Sequence, residues 1–370
     1  MIPQDVIEKA LSRAQESASH SWEHSTVFEA LLEYRNPSYS VFSPDPFPNG
    51  ATPRLKIQDI DALRYVRPLI RTDTPTLSED NGSSADPTSL CLPTLLLAHS
   101  PSLPPSTRTT YSTALSRQLD QLLKETPRFP NGALSHRSAY PSLWSDFIYM
   151  APPILAYIGV SNRNVSLICE SVRQCKLYCE VLGTPSGSWR HIANLSPTTA
   201  EKVKQDDGAW STSNAWAAAG MARVLATLLH SPFAAQTKAE QVLLVEMIKG
   251  ILDAARAVDT HPSRLLRNYL DDESAFVEVA GTALMAATVF RIAGLKGAGA
   301  VFGCEYTEWA REKMRAVAEH VDVRTGVAAP VVNSLREREE MPLGEVNPEA
   351  QAFVVLLFAA WRDWSQAQSL

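Results

Sequence analysis

Side chains that could do chemistry are concentrated between Trp144 and Pro153, where the sequence reads WSDFIYMAPP. This segment places one carboxylate, Asp146, between the aromatic residues Trp144 and Tyr149. On a helix Asp146, Tyr149 and Met150 would share one face, because they are three and four residues apart. An acid that looks across an aromatic wall is a candidate proton donor to a sugar. The alternative interpretation is an acid at a helix N-terminus, stabilised by the helix dipole beside buried aromatics.

Further fragments supply imidazole, guanidinium and indole groups. The residues are His136 and Arg137 upstream of Asp146, and Arg190, His191, Trp210 and Trp216 downstream of it. Each fragment alone is weak evidence, because a single His in a helical protein is commonly a satisfied structural residue and a Trp usually belongs to the core. Only their order along the chain is informative.

Apolar residues recur at helical spacing between short Pro, Gly, Ser or Asn breaks, and strand-like alternation is scarce. The pattern predicts about twelve helices, near residues 4–18, 24–35, 56–70, 87–98, 108–125, 143–158, 163–182, 210–229, 237–257, 275–293, 303–321 and 348–367. It also predicts long surface loops at residues 36–53 and 73–87.

The predicted helices come in successive pairs joined by short turns. Each pair forms a hairpin whose apolar face needs a neighbouring hairpin to cover it. Six hairpins closed into a ring cover one another, and the loops at one end then surround a funnel that suits an elongated saccharide. An open helical solenoid and two unrelated bundles are the alternatives. We treat residues 1–370 as one domain, because the helical pattern is the same on both sides of each long loop.

The composition argues against several classes of protein. The net charge is -6, and the Lys and Arg residues are scattered along the sequence. The sequence therefore predicts neither a basic surface for nucleic acid nor a basic amphipathic helix for a membrane surface. The longest apolar run, residues 279–290, is too short to cross a bilayer. Residues 1–9 carry acids where a secretory signal needs a basic start, so we expect a cytoplasmic location, with an already processed chain as the alternative. The five cysteines lack zinc-site spacing and are expected to be free thiols.

The ordered fragments resemble glycoside hydrolase family 105, the unsaturated rhamnogalacturonyl hydrolases, and the related family 88 of unsaturated glucuronyl hydrolases. In chain order they are His136-Arg137, WSDxxYMxxP from Trp144, Trp189-x-His191, Trp210-x5-Trp216, EVAGTA from Glu278 and NPEAQAF from Asn347. The match spans most of the chain, and the Trp22-Glu23-His24 fragment fits it too. The resemblance implies an all-α fold, the (α/α)6 barrel.

The resemblance also implies an unusual glycosidase reaction. Ordinary glycosidases use two carboxylates that flank the scissile bond. This family instead hydrates the C4=C5 double bond of a terminal 4,5-unsaturated uronic acid, and the resulting hemiketal opens and releases the aglycone. One carboxyl group can serve this route, first as an acid toward C4 and then as a base toward the attacking water. We expect no metal and no other cofactor, because the reaction requires only a proton donor and water.

The resemblance assigns roles to individual residues. By motif position, Asp146 corresponds to the acid and base, and Asp86 corresponds to a second family carboxylate. If the two carboxyl groups lie close together, repulsion should raise the pKa of one of them. The substrate-binding residues implied by the match are His136, Arg137, Trp144, Tyr149, His191, Trp210 and Trp216.

The chain departs from the family pattern at Thr212, where relatives commonly carry an Arg. A buried substrate carboxylate needs a partner, so Arg137, Arg190 or His191 must meet it, or the preferred substrate differs. Ala215 also adds a methyl group where the family has Gly, which would narrow the pocket.

Together these observations predict an enzyme that acts on unsaturated uronyl oligosaccharides derived from rhamnogalacturonan, in pectin degradation. A relative that acts on another terminal sugar and a carbohydrate-binding pseudoenzyme are the alternatives. Loops such as residues 36–53 are expected to set the preference for the aglycone. The sequence makes no prediction of the oligomeric state.

Overall fold

Helices dominate the residues that the computed structural model describes, which are 2–195 and 204–368. The α-helices in these ranges are α1 (Gln4–Ser17), α2 (Ser21–Arg35), α3 (Asp61–Val66), α4 (Ala85–Thr88), α5 (Cys91–Ala98), α6 (Pro105–Asp120), α7 (Phe147–Met150), α8 (Pro152–Ser161), α9 (Val165–Leu182), α10 (Ser211–His230), α11 (Lys238–Ala257), α12 (Val279–Ala293), α13 (Cys304–Glu319) and α14 (Pro348–Gln368). A turn of π-helix, Gln121–Glu125, continues α6, and short 3₁₀ segments lie at Pro37–Tyr39, Pro48–Gly50, Ile57–Asp59 and Arg67–Leu69.

The burial of each helix decides whether it lies inside or outside the barrel. In α10 every residue from Ser211 to Leu228 is buried, and in α12 every residue from Val279 to Ile292 is buried. By contrast, α11 buries one stripe, which includes Leu244, Ile248 and Ile251. A helix that is apolar all round must be covered all round, whereas an amphipathic helix leaves one face to water. The first kind forms the inner ring and the second kind the outer ring.

The inner helices close into a ring. On one side of the ring, α2 contacts α4 and α5 contacts α8. The ring continues from α8 to α10, from α10 to α12 and from α12 to α14, and α14 contacts α2. Each outer helix packs on the inner helix that precedes it, so that α3, α6, α9, α11 and α13 cover α2, α5, α8, α10 and α12, while α1 covers α14. The predicted (α/α)6 barrel is therefore confirmed.

Short strands, which the sequence patterns did not predict, pair the loops with one another at one end of the ring. They are β1 (Ser142–Trp144), β2 (Ile192–Asn194), β3 (Leu266–Arg267), β4 (Val277–Glu278), β5 (Val332–Asn333) and β6 (Arg336–Glu340). They form three antiparallel pairs, β1 with β2, β3 with β4 and β5 with β6. In the first pair Trp144 lies opposite Ile192, so the segments before α7 and before α10 are held side by side.

Several predicted helix bounds are wrong for identifiable reasons. The helix expected at residues 143–158 is a strand, then α7, then α8, because Pro152 and Pro153 cannot continue the hydrogen-bond ladder of α7. The helix expected at 275–293 begins only at Val279, after β4. At residues 56–70 only Asp61–Val66 is α-helical.

The loop at residues 36–53 lies at the other end of the barrel from the strand-paired loops, contrary to the expectation that it contacts the aglycone. Its Phe42 ring lies 5.5 Å from the Arg223 guanidinium and 5.0 Å from that of Arg291. Those two arginines project from the inner helices α10 and α12. No residue pattern within this loop indicates the end of the ring at which it lies.

Beneath the centre of the ring, buried charges from different inner helices neutralise one another. Arg223 Nη2 lies 2.5 Å from Glu33 Oε1 and 3.0 Å from Glu29 Oε2, and Arg291 Nη2 lies 2.6 Å from Glu33 Oε2. Burial alone would raise the pKa of Glu33, but the two guanidinium groups outweigh it and hold that pKa below its usual value. Arg291 also pairs with Asp363 at 2.7 Å, so the network joins α2, α10, α12 and α14.

None of the helices within residues 2–195 and 204–368 combines the length and the hydropathy that crossing a membrane would require.

A close helix contact fixes the start of α7. A Cβ atom at Gly220 of α10 would overlap the carbonyl oxygen of Ile148, whereas a Cβ atom at Gly250 of α11 has its nearest neighbour 3.8 Å away. We expect Gly220→Ala to lower the free energy of unfolding by about 1–3 kcal/mol through overpacking. The matched variant Gly250→Ala should raise it by about 0.5–1 kcal/mol, because the backbone entropy of the unfolded chain falls. Urea unfolding of both variants checks this, and equal effects would contradict it.

Candidate active site

One end of the ring opens into a cavity with about 1000 Å³ of space between atoms, part of it open to solvent. Most of the side chains around it come from the first residues of inner helices or from the loops just before them. The lining residues are His20, Trp22, Asn81, Asp86, His136, Arg137, Trp144, Asp146, Met150, His191, Lys204, Trp210, Trp216, Ser334, Leu335 and Glu349. Helix N-termini carry partial positive charge, so this end of the barrel favours acidic groups.

Asp146 is buried at the point where β1 passes into α7. The backbone N–H of the preceding Ser145 donates to the His191 carbonyl oxygen at 3.0 Å. Within the described residues the Oδ2 atom of Asp146 has no hydrogen-bond partner other than His191, whose Nε2 atom lies 3.4 Å away. An acid with an unsatisfied oxygen in a cavity is available to a ligand.

His191 lies between two carboxylates. Its Nε2 atom faces Asp146, and its Nδ1 atom lies 3.0 Å from Oδ2 of Asp206. Burial lowers the pKa of the imidazole, but the hydrogen bonds and charges of Asp146 and Asp206 outweigh burial and raise it above its ordinary value. The ring is held in place by Trp210, whose centroid is 4.7 Å away, and by the edge of Trp144 at 5.6 Å.

Asp86 stands near the start of α4, beside a second imidazole. His136 Nε2 lies 3.9 Å from Asp86 Oδ1 and 3.4 Å from the Ser83 hydroxyl oxygen. Burial raises the pKa of Asp86 to about 7, with a further contribution from the charge of Asp146, and the Ser83 hydrogen bond and the charge of Arg137 only partly oppose this. Burial also lowers the pKa of His136 to about 3. At neutral pH, therefore, His136 is uncharged and Asp86 is partly protonated.

Two indole rings and an imidazole form an aromatic wall next to these acids. His136 stacks on Trp144 with ring centroids 4.8 Å apart and planes inclined by 11°. The Trp144 N–H donates to the Ser142 hydroxyl at 2.9 Å, and the Trp210 N–H donates to Asn268 Oδ1 at 2.8 Å. Their polar edges are thus satisfied by the protein, which leaves the ring faces for a ligand.

Glu349, at the start of α14, is a further carboxyl group on the cavity wall. The Trp22 indole N–H donates to its Oε1 atom at 2.6 Å. Burial raises the pKa of Glu349 to about 8, and the nearby charges of Glu23 and Asp146 add to the shift while the Trp22 bond opposes it. The group is therefore largely protonated at neutral pH and can both donate and accept a hydrogen bond.

The cations around the cavity differ in how far they are neutralised. Lys204 pairs with Glu337 at 2.6 Å and lies 5.0 Å above the Trp144 ring. Arg137 donates to the Asn81 carbonyl oxygen at 3.3 Å, a neutral acceptor. Arg190 does not line the cavity, since its guanidinium binds the Val181 carbonyl at 2.8 Å and pairs with Asp207 at 3.6 Å.

Thr212, which stands at the position of the family Arg, is fully buried below the cavity wall. Its hydroxyl donates to Glu278 Oε1 at 3.2 Å, alongside the Ser211 hydroxyl at 2.9 Å. Glu278 caps α12 and also accepts from the N–H groups of Ala280 and Gly281. Burial raises its pKa to about 7 despite these four donors. Two side-chain hydroxyl groups and two backbone N–H groups thus satisfy the Glu278 carboxylate. The family pattern predicts an arginine guanidinium at the position of Thr212.

Eight of the nine residues predicted for the site line this one cavity, namely Asp146, Asp86, His136, Arg137, Trp144, His191, Trp210 and Trp216. Tyr149 does not. Its hydroxyl donates to Glu29 and accepts from Arg223 at 3.1 Å. A buried phenol needs such a partner, and only Met150 of the two helix neighbours shares the cavity with Asp146. The functional roles of the eight remain predictions.

Sequence reasoning missed Lys204, Glu349 and Asp206 as members or supports of the site. Glu349 lies in the NPEAQAF fragment and Asp206 lies four residues before Trp210, so proximity to a motif was the available signal. Lys204 follows residues outside the described ranges and has no motif near it.

His191, Asp206 and Glu337 bring one potential metal-ligand atom each within 4.8 Å of one another. Both acids already have cationic partners, because Arg338 Nη2 lies 2.8 Å from Asp206 Oδ1 and Lys204 binds Glu337. The arrangement is that of an ion-pair network, in which positive charge already occupies the place of a metal ion.

The raised pKa of Glu349 predicts a pH-dependent cost to stability. A folded-state pKa of about 8, above the ordinary 4.5, means that the native state binds more protons between these values, so stability falls as pH rises through this window. We expect Glu349→Gln to be more stable than the native chain at pH 9, by on the order of a few kcal/mol, and to differ little at pH 4. Thermal unfolding at both pH values measures this. The exposed control Glu345→Gln should show no such divergence, and a Glu349→Gln curve parallel to the native one would contradict the expectation.

Comparison with known proteins agrees with this architecture. Residues 69–336 match the model of Glycosyl Hydrolase Family 88. A comparison with curated protein sequences finds no match.

Solved structures share the fold at low sequence identity. A possible member of the GH105 family from Klebsiella pneumoniae is 16% identical with a TM-score of 0.71, covering 98% of this chain and 95% of its own. A family 105 glycoside hydrolase from C. acetobutylicum is 12% identical with a TM-score of 0.71, covering 97% and 98%. An unsaturated glucuronyl hydrolase from Bacillus sp. GL1, responsible for the degradation of glycosaminoglycan, is 12% identical with a TM-score of 0.57, covering 97% and 96%.

The family match spans well over half of the chain and includes Asp86, Asp146, His191 and Trp210. It confirms the resemblance predicted from the order of the sequence fragments. The protein is a glycoside hydrolase and belongs to Glycosyl Hydrolase Family 88.

Proposed function

We propose that the protein removes a terminal 4,5-unsaturated uronic acid from an oligosaccharide by hydrating its C4=C5 double bond. The observation that carries the proposal is the position of Asp146, a buried acid in a cavity of sugar size and beside aromatic faces. Among the described residues, the only group near its Oδ2 atom is the His191 imidazole. An enol ether needs a proton donor at one carbon and water at the next. One acid held near an imidazole meets that need.

The first step is protonation of C4 by the Asp146 carboxyl group. The positive charge then develops at C5 and is shared with the ring oxygen. Asp146, now a carboxylate, lies beside this cation and takes a proton from the water that adds to C5. The hemiketal formed at C5 opens, and the aglycone leaves from C1. The acid ends the cycle in its starting state, so one carboxyl group serves both steps.

Asp86 has a different role in this scheme, because its pKa of about 7 leaves it partly protonated at neutral pH. A protonated Asp86 donates a hydrogen bond to a sugar hydroxyl and adds no second negative charge to the pocket. Two ionised carboxylates on one small sugar that is itself an acid would repel both each other and the substrate.

Arg137 is the group that we assign to the substrate carboxylate. It lines the cavity, and its hydrogen bond within the described chain goes to a neutral carbonyl. A guanidinium binds a carboxylate through two parallel N–H bonds, which fixes the orientation of the uronate. Arg190, the alternative considered from sequence, is directed away from the cavity by Asp207.

For the aglycone we propose a rhamnogalacturonan-derived sugar, in keeping with the family 105 resemblance. The same assay tests two alternatives, which are suggested by Thr212 in place of an Arg. One is a relative that acts on another terminal sugar, and the other is a protein that binds carbohydrate without turnover. Unsaturated disaccharides from rhamnogalacturonan and from glycosaminoglycan, tested side by side, distinguish the substrates.

The role of Asp146 predicts a large loss of activity in Asp146→Asn. General acid and base catalysis together contribute on the order of 10²–10⁴ to a rate, so kcat should fall by at least this factor. The assay follows the loss of the ultraviolet absorbance of the double bond in a lyase-generated unsaturated disaccharide. Asp120→Asn, an exposed acid paired with Lys124, is the control and should keep full activity. Retention of native kcat by Asp146→Asn would reject the proposed role.

The role of Arg137 predicts a binding defect that depends on the charge of the substrate. We expect Arg137→Gln to raise KM for the unsaturated disaccharide by roughly 10- to 100-fold, since a hydrogen bond to a charged group contributes about 1.5–3 kcal/mol. The methyl ester of the same substrate lacks the negative charge, so the variant and native KM values for it should be similar. Arg190→Gln is the matched control. If Arg190→Gln raises KM and Arg137→Gln does not, the assignment is wrong.

A further inference from the structure

Asp206 lies behind His191, on the side away from the cavity, and does not itself line the site. Its Oδ2 atom faces His191 Nδ1 at 3.0 Å and accepts from the Tyr269 hydroxyl at 2.5 Å. Its Oδ1 atom accepts from the Gly208 N–H at 3.2 Å and from Arg338 Nη2 at 2.8 Å. The Gly208 N–H and the Arg338 guanidinium can only donate. Burial would raise the pKa of Asp206, but the hydrogen bonds of His191, Tyr269 and Gly208 outweigh burial and hold that pKa below its usual value, so the carboxylate is ionised.

An ionised Asp206 determines which nitrogen of His191 carries a proton. A carboxylate can only accept, so Nδ1 must be the donor, and Nε2 then faces Asp146 Oδ2 at 3.4 Å. Neither Nε2 nor Oδ2 has another hydrogen-bond partner in the described chain. Two lone pairs at this distance in a buried site repel each other, so one proton must lie on one of the two atoms.

We propose that Asp206 is a positioning residue, which orients His191 so that the imidazole and Asp146 hold one shared proton for the reaction. The final destination of that proton, the C4 carbon of the substrate, rests on the proposed function. The proton passes from His191 Nε2 to Asp146 Oδ2 and then to C4. The attacking water gives a proton to Asp146, and the shared proton is restored. No net proton is gained or lost in the cycle.

The charged surroundings of His191 support this role. They are Asp146 before α7, Asp206 before α10, Glu337 on β6, and the neutral imidazole of His136 next to the Trp144 ring. Arg338 and Lys204 neutralise Asp206 and Glu337 from the outer side. Asp146, the acid that Nε2 of the imidazole faces, has no Lys or Arg partner among the described residues. Burial would lower the pKa of His191, and the two aspartates reverse that effect.

Substitutions at Asp206 and Arg338 should shift the titration of His191 in opposite directions. In Asp206→Asn the amide N–H can donate to Nδ1, which favours the tautomer protonated at Nε2 and lowers the pKa of the imidazole. In Arg338→Gln the negative charge of Asp206 is less compensated, so the pKa of His191 should rise. The Arg338 side chain is 60% exposed, so this variant is expected to fold even if Asp206→Asn does not.

The test is ¹⁵N NMR titration of His191 in the substrate-free protein, with the resonance assigned through His191→Gln. We expect a downward pKa shift of about one unit or more in Asp206→Asn, an upward shift in Arg338→Gln, and no shift in Asp207→Asn, whose side chain is 66% exposed. With unsaturated disaccharide, the basic limb of the kcat profile should move in the same directions, and kcat of Asp206→Asn should fall about 10- to 1000-fold.

Two results would overturn the proposal. One is an unchanged His191 titration in both Asp206→Asn and Arg338→Gln. The other is an equal kcat loss in Tyr269→Phe, which keeps the carboxylate and imidazole pair and removes only one donor to Asp206, because equal losses would indicate a purely structural role. The titration uses no substrate, so it tests Asp206 even if the protein does not hydrate unsaturated uronides.

Discussion

The need to bury several carboxyl groups around one cavity is the constraint on which the rest of this structure depends. Glu23, Asp86, Asp146 and Glu349 all belong to the first residues of inner helices or to the segments just before them, and all are buried. An ionised carboxylate in such a place is costly unless it is paired, so each one must be protonated, hydrogen-bonded or matched with a cation. Burial keeps Glu349 largely protonated and Asp86 partly protonated at neutral pH, and Asp146 lies against the His191 imidazole.

The two ends of the barrel treat buried charge in opposite ways. At the floor, Arg223 and Arg291 satisfy Glu29 and Glu33, so the network is complete and binds inner helices together. At the open end, the buried atoms Asp146 Oδ2 and His191 Nε2 have no hydrogen-bond partner within residues 2–195 and 204–368 apart from each other, and His136 Nδ1 has none there. A complete network stabilises a fold, whereas an incomplete one in a cavity is suited to a polar ligand. The same ring of helices therefore supplies both a rigid base and a reactive opening.

How much of this could be predicted from sequence depended on the kind of signal. Helical periodicity predicted paired helices but left an open solenoid and two bundles as alternatives, and the resemblance to families 105 and 88 supplied the closed (α/α)6 barrel. The order of motifs predicted Asp146, Asp86 and His191 as site residues, and all three line the cavity, while their roles stay predictions. Local spacing misled for Tyr149, since a short helix that ends at two prolines turns that residue toward Glu29 and Arg223 instead of the cavity.

The supporting residues could not be predicted, because tertiary pairing alone brings them to the site. Asp206 is 15 residues from His191 in sequence and 63 residues from Tyr269, and Arg338 reaches it from β6, 132 residues away. No periodicity or motif in a single sequence joins these positions. The end of the ring at which the loop of residues 36–53 lies was likewise decided by packing of Phe42 against buried arginines.

The central claim, that Asp146 protonates the C4 carbon of an unsaturated uronide, is tested most directly by NMR of the reaction in D₂O during the first turnovers. The account predicts that the vinylic H4 signal disappears at the rate at which the aglycone is released, and that the product carries one deuterium at C4. Release of the aglycone with the double bond intact and no deuterium at C4 would show attack at C1 by a conventional glycosidase route, and would contradict the account.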